Sequence, residues 1–449
     1  LISFSDLSFS DLKYLLKTMH PHIWYPFTQA KTALEPLKVK SAQGVWLELE
    51  NGHKIIDCIS SWWVNTYGHC HPKIAEAIYQ QAQQLEQVIF AGFTHDPAEQ
   101  LAEKLIAKLG APFNRVFFSD NGSTAVEVGL KMAYQYWVNQ GQERSTFLAF
   151  DGAYHGDTFG AMSVGARSLF SAVFSNLLFN VEFVPFPSTY WGDRTVEETE
   201  AKVLSILEKA LDERGDRIAG VIIEPLVQGA GGMRMCRPRF LQKLRAIAQS
   251  FNTLLIFDEV MTGFGRTGDW FACHKAGVSP DILCLSKGIT GGFLPFAVTV
   301  CSEEIYHAFY DDEPLKTLYH GHSYTANPLG CAAALAGLEL MTEYEPQFRS
   351  MEAKHHAQLA QLKDHPAVEK LRVTGTIAAM DLVTQERSGY LNTISLEIRQ
   401  RAIAKGLLLR PLGNVLYILP PYCIRDAELS QIYQGIEEIL TDLSKDFLI

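Results

Sequence analysis

Two rhythms of apolar residues alternate along the chain. From Lys38 to Asp57, short apolar stretches are broken by the turn signals Gln43-Gly44 and Asn51-Gly52, a pattern that predicts a small antiparallel hairpin. From about Pro72 the spacing becomes helical over Ile74 to Val88 and again over Pro97 to Leu109. Arg115 to Ser119 then reads as a strand, Asp120-Asn-Gly-Ser123 as a turn and Thr124 to Tyr136 as a helix. The unit recurs. Strands are expected at Thr146 to Phe150, Ile218 to Glu224, Leu254 to Asp258 and Ile282 to Leu285, with helices at Ala201 to Leu211 and Pro238 to Ser250 between them. Unbroken apolar strands separated by helices imply a mostly parallel sheet covered on both faces. Beyond the Asn327-Pro328 turn, a helix from Cys331 to Leu340 leads into a segment with strands around Gly375 to Leu382 and Val415 to Leu419. The chain thus reads as a large α/β domain with a second lobe built from both chain ends.

Composition narrows the classes of function. The 449 residues exceed one simple core, and 47% hydrophobic with 20% charged residues is ordinary for a globular enzyme. A formal net charge of −11 without a basic run argues against a nucleic-acid surface. No apolar run approaches the roughly 20 residues that span a bilayer. Residues 3 to 12 repeat Ser-Phe-Ser-Asp-Leu but lack the features of a signal or transit peptide. They are expected to form a tail or short docking helix on a cytoplasmic protein. The eight cysteines (Cys58, Cys70, Cys236, Cys273, Cys284, Cys301, Cys331 and Cys423) form no C-x-x-C pairs and are expected to be buried free thiols.

In open α/β sheets, ligands gather at the carboxyl ends of the strands. Lys287 follows the apolar run Asp281-Ile-Leu-Cys-Leu285, where a desolvated amine would suit Schiff-base chemistry and a surface lysine is the equal alternative. Asp258 ends the run Leu254-Leu-Ile-Phe and could keep a pyridine nitrogen protonated. A core aspartate capping a loop is its bland reading. Gly122 and Ser123 open a helix, where free N–H groups make an anion site or a simple cap. Tyr154, in Gly152-Ala-Tyr-His-Gly156, offers an aromatic face for stacking, or plain packing. Lysine, aspartate, anion turn and aromatic face together supply what pyridoxal 5′-phosphate (PLP) needs.

Two other motifs lead elsewhere. Gly263-Phe-Gly265-Arg-Thr-Gly268 satisfies G-x-G-x-x-G, but no helix starts within it, so the dinucleotide-binding context fails. His69-Cys70-His71 lacks distant partners at metal-ligand spacing and reads as a turn before Pro72, so no metal is expected.

The order Asn-Gly-Ser, Tyr-His-Gly, Ile-Ile-Glu-Pro, Asp-Glu-Val-x-Thr-Gly-Phe-Gly-Arg-Thr-Gly, Ser-Lys-Gly and Asn-Pro-Leu resembles the class III (ω-amino) aminotransferases, over about Trp24 to Tyr422. Within that class, His22-Ile-Trp-Tyr-Pro-Phe27, Ser60-Ser-Trp62-Trp63, Gln228-Gly-Ala-Gly-Gly-Met-Arg-Met235 and Arg410-Pro-Leu-Gly413 are similar to the branch that makes 7,8-diaminononanoate for biotin biosynthesis. The resemblance implies PLP fold type I: a mostly parallel, seven-stranded-type sheet flanked by helices in residues 67–335. A smaller α+β domain would combine residues 1–66 and 336–449. It also implies a ping-pong aminotransferase acting on 8-amino-7-oxononanoate and S-adenosylmethionine, as a homodimer with shared sites. Lysine as donor, or another ω-aminotransferase activity, is the alternative. By the same resemblance Lys287 is the cofactor lysine and proton shuttle, Asp258 the pyridinium partner, Gly122 and Ser123 the phosphate turn, and Tyr154 the stacking ring that also touches substrate. His322 and Ser323, in a segment that usually reads His-Gly-Pro-Thr, would reach the neighbouring subunit's cofactor. Phe27, Trp62, Gly321 and Arg410 would meet substrate, Arg410 as a carboxylate clamp. Phe27 departs from the family's tyrosine and so bears on the donor.

Overall fold

The computed structural model describes residues 19–168, 171–386, 389 and 392–447. The Ser-Phe-Ser-Asp-Leu repeat lies outside them. Seven strands form the central sheet in the spatial order Phe113–Ser119, Ala297–Ser302, Ile282–Leu285, Leu254–Asp258, Ile218–Ile223, Thr146–Phe150, Val181–Val184. All neighbours are parallel except those of Ala297–Ser302, which is antiparallel on both sides. Helices cover both faces, so the five inner strands carry mostly uninterrupted apolar runs: every residue of Ile218–Ile223, Leu254–Asp258 and Ile282–Leu285 is buried. This is the mostly parallel α/β sheet of PLP fold type I.

Several boundaries differ from the periodicity. The helix expected to reach Val88 is Pro72–Ala82; Gln83 and Gln84 donate to carbonyls three residues back, which tightens and ends it. The helix expected from Thr124 starts two residues earlier, as Gly122–Asn139. The strands Val181–Val184 and Ala297–Ser302, and the helices Glu345–Leu362 and Asp426–Phe447, were not expected.

The predicted hairpin is a three-stranded meander, Val39–Gln43, Trp46–Leu49 and Lys54–Asp57, and a parallel fourth strand, Leu407–Leu408, joins it from the other end of the chain. A separate three-stranded sheet comprises Val368–Thr374, Ile377–Leu382 and Val415–Ile418. No described helix is long and apolar enough to cross a membrane. All eight cysteines are free, and six are buried as expected; Cys423 is only partly buried and Cys70, in the left-handed turn (φ 54°) before Pro72, is exposed.

Candidate active site

Strands Leu254–Asp258 and Ile282–Leu285 lie side by side, with Asp258 in register with Cys284. Lys287 therefore emerges just beyond Asp258 at the same carboxyl edge of the sheet. Both side chains line a cavity of about 480 Å³ together with Gly122, Ser123, Tyr154 and His155. The neighbouring Glu259 turns away, and its carboxylate accepts from Ala272 N (2.6 Å) and Cys273 N (2.7 Å) at the start of the helix Ala272–Ala276.

Asp258 is held on both oxygens. Oδ1 accepts from Val260 N at 3.0 Å, and Oδ2 accepts from His155 Nδ1 at 2.6 Å. Burial works against a charged His155, but the hydrogen bond and charge of Asp258 prevail and raise its pKa. The other ring nitrogen, Nε2, is buried without a partner among the described residues. Glu224, in the same cavity, accepts from Tyr154 N (3.1 Å) and Gly229 N (3.0 Å), and burial pushes its pKa up to about 7 despite the nearby His155.

Lys287 has no carboxylate within ion-pair distance among the described residues. Its Nζ lies 4.5 Å from the Trp63 ring centroid. Burial lowers its pKa to about 8, with Asp258 and Glu224 opposing the shift. Its backbone is left-handed (φ 44°), where a short 3₁₀ turn, Lys287–Thr290, takes over from the strand.

At the opposite wall, Asn121 caps the helix Gly122–Asn139. Its side chain accepts from Thr124 N, and the Thr124 hydroxyl accepts from Asn121 N. The cap uses the third helical N–H and leaves those of Gly122 and Ser123 with no partner inside the helix. Ser123 Oγ accepts from Asp157 N at 3.0 Å, so its hydroxyl hydrogen remains available to an anion. Packing is tight. A Cβ on Gly122 would meet Val260 Cγ1 at 2.5 Å, and one on Gly156, whose φ is +133°, would meet Ser123 Oγ at 1.9 Å. Gly156→Ala is therefore expected to destabilise the protein by about 1–3 kcal/mol. An unchanged Tm would show that Ser123 is not pressed against Gly156.

An amine facing the cavity, a hydrogen-bonded aspartate at the next strand end and an anion turn packed against that strand fit PLP: amine for the aldehyde, carboxylate for the ring nitrogen, N–H groups for the phosphate. Tyr154 lines the same space, and its hydroxyl donates to Asp157 Oδ2 at 2.9 Å.

The remaining expected residues fall into two groups. Phe27, Trp62 and Arg410 gather in a separate cluster: the Phe27 and Trp62 ring centroids are 5.5 Å apart, and the Arg410 guanidinium stands 4.8 Å from the Trp62 ring. Trp62 is not on the cavity wall; Trp63 is. Gly321 and Ser323 are exposed and do not line the cavity of their own chain, and His322 Nε2 lies 3.9 Å from Asp120 Oδ1 at its rim. Trp63, His155 and Glu224 were missed as site residues. Only the adjacency of His155 to Tyr154, and of Glu224 to a buried strand end, could have pointed to the last two. The G-x-G-x-x-G segment forms a buried turn in which Arg266 donates to Pro420 O and Trp63 O, each at 3.3 Å.

The family model "Aminotransferase class-III" matches residues 28–440. The chain belongs to the class III aminotransferases. An adenosylmethionine-8-amino-7-oxononanoate aminotransferase from Synechococcus elongatus is 62% identical over 424 residues, covering 94% of this chain and 99% of the relative. A protein of the same description from Geobacter sulfurreducens is 41% identical over 434 residues, covering 93% and 95%. Among solved structures, the enzyme so described from Methanocaldococcus jannaschii superposes on this class III aminotransferase with a TM-score of 0.86 at 34% identity, over 93% of this chain and 97% of that one. An amine transaminase from an uncultivated Pseudomonas species, in a PLP-bound form, gives 0.88 at 30% identity over 95% and 100%.

Proposed function

We propose that this PLP-dependent aminotransferase converts 8-amino-7-oxononanoate to 7,8-diaminononanoate in biotin biosynthesis, with S-adenosylmethionine as amino donor in a ping-pong cycle. The observation that carries the reading is the 62% identity, across 94% of the chain, to a relative so described. When bound, PLP supplies the electron sink through which an amino group leaves one carbon and joins another. The chain's own residues do the rest. Lys287 holds the cofactor and moves the proton, Asp258 keeps a negative charge at the pyridine nitrogen, and Gly122 and Ser123 bind the phosphate. Tyr154 packs on the ring and meets substrate. Trp62 forms an apolar wall, and Arg410, with no carboxylate at ion-pair distance among the described residues, is free to take the carboxylate of the oxo acid.

The exposed Gly321 and Ser323, with the half-buried His322 between them, are read as reaching the partner's cofactor, which requires a homodimer with shared sites; a cytoplasmic location belongs to the same reading. The division into a large domain at 67–335 and a small one from residues 1–66 and 336–449 belongs to the same reading. Phe27 favours a second donor. With no hydroxyl beside Trp62, it forfeits about 0.5–1.5 kcal/mol of donor contact, and lysine could serve instead. Single-turnover mixing of the PLP-loaded enzyme with each donor decides: S-adenosylmethionine is expected to bleach the cofactor's visible absorbance. Bleaching by lysine alone would reassign the donor, and bleaching by neither would remove the reading.

A further inference from the structure

The strand Lys54–Asp57 runs into a turn with an unusual backbone: Ser60, Ser61 and Trp63 have φ of 52°, 59° and 66°. Residues with a Cβ hold such angles only where the surroundings over-determine them. We propose that Asp57 is the positioning residue that fixes this turn, so that one buried carboxylate aims Trp62 at Arg410 and Trp63 at Lys287. The inference rests on the aminotransferase reading for the meaning of those two targets.

Asp57 is 0% exposed. Its Oδ1 accepts from Ile59 N at 3.2 Å, and its Oδ2 from Ser61 N at 2.6 Å and Ser61 Oγ at 3.0 Å. His69 Nε2 approaches the same Oδ2 at 2.9 Å. A buried carboxylate is costly unless its oxygens are matched, and three of these four donors belong to the segment that enters the turn. From the other side, Ser60 Oγ donates to Leu419 O (2.7 Å), Trp63 Nε1 to Tyr417 Oη (3.0 Å) and Arg266 to Trp63 O (3.3 Å). Clamped between them, two consecutive tryptophans face different compartments. Trp62 is 42% exposed over Arg410, whereas Trp63 is 4% exposed over Lys287. No other carboxylate bonds the turn among the described residues.

Asp57→Asn keeps the shape and one acceptor oxygen but sets an amide hydrogen against the donors of the turn. In the PLP-loaded enzyme, with active sites counted by bound cofactor, the KM for 8-amino-7-oxononanoate is expected to rise about tenfold while kcat changes less. Adding Trp62→Ala should then cost little more, because the wall is already misplaced. An unchanged KM with a lower Tm, or fully multiplicative effects of the two substitutions, would reduce Asp57 to a structural carboxylate. His69→Ala, which removes one donor from outside the turn, covers the case in which Asp57→Asn does not fold. It is expected to raise KM about threefold, and no rise would overturn the proposal. Quenching of tryptophan fluorescence by bound cofactor gives a readout that needs no substrate. If the unaltered enzyme fails to turn over 8-amino-7-oxononanoate, the functional reading is at fault, and quenching decides the turn: weaker quenching in Asp57→Asn sustains the assignment, and identical quenching ends it.

Discussion

Replacing Lys287 with alanine is expected to abolish turnover while the protein remains folded. The loss of a positioned proton carrier alone accounts for about 10²- to 10⁴-fold in rate, and loss of the covalent hold on the cofactor adds to it. The fold should not suffer. Burial lowers the pKa of this amine to about 8, so the folded chain disfavours its charged form. That penalty is fully present below pH 8, fades as pH rises toward the unfolded value and is absent above it. At neutral pH the cofactor-free Lys287→Ala protein is therefore expected to show a Tm no lower than the parent. The same shift sets a kinetic test on the unaltered chain. Only the neutral amine attacks an aldehyde, so the rate of PLP capture should rise with pH and level off above about 8. A lysine in water would level off only near 10.4. Turnover by Lys287→Ala within tenfold of the parent would sink the assignment of this residue.

Asp258→Asn is expected to have the next largest effect, a fall in kcat of about 10²- to 10³-fold with little change in KM. Asparagine preserves the shape but not the charge, and charge is what a pyridine nitrogen needs in order to keep its proton. The change also reaches His155, whose pKa is raised against burial chiefly by the hydrogen bond and charge of Asp258, with a smaller push from Glu224. With asparagine in place, only the weaker pull of Glu224 opposes burial, and His155 should titrate lower. An NMR titration of His155 alongside kcat separates the two consequences. Activity within tenfold of the parent would show that the charge of Asp258 is dispensable.

The features legible in the sequence were those set by burial on a periodic element. Ile218–Ile223, Leu254–Asp258 and Ile282–Leu285 are apolar throughout because helices cover both faces of their sheet. For the same reason the polar residues that end or follow two of these runs, Asp258 and Lys287, were conspicuous. The antiparallel Ala297–Ser302 was not, because it follows a dense run of turn residues, Gly291 to Pro295, and its polar Thr299 reaches back to Ala125 O (2.7 Å). Pairing across the chain was beyond reach too. Glu224 holds Tyr154 N from 70 residues away. Which of two adjacent tryptophans turns inward depends on left-handed angles at Ser60, Ser61 and Trp63 that no periodicity encodes.

The turn that carries those tryptophans is closed by partners very distant along the chain. Ser60 reaches Leu419 across 359 residues and Trp63 reaches Tyr417 across 354, while Lys54–Asp57 receives its fourth strand only from Leu407–Leu408. During synthesis on a ribosome the cofactor cavity can begin to form once the strand before Lys287 has emerged, whereas its Trp63 wall must wait for more than a hundred further residues. Loops of that span close late and slowly, and the nascent chain keeps an apolar pair uncovered in the interval. Substrate competence therefore arrives as one of the last events of biosynthesis, and truncation before Tyr417 would leave a sheet able to fold but a site unable to close.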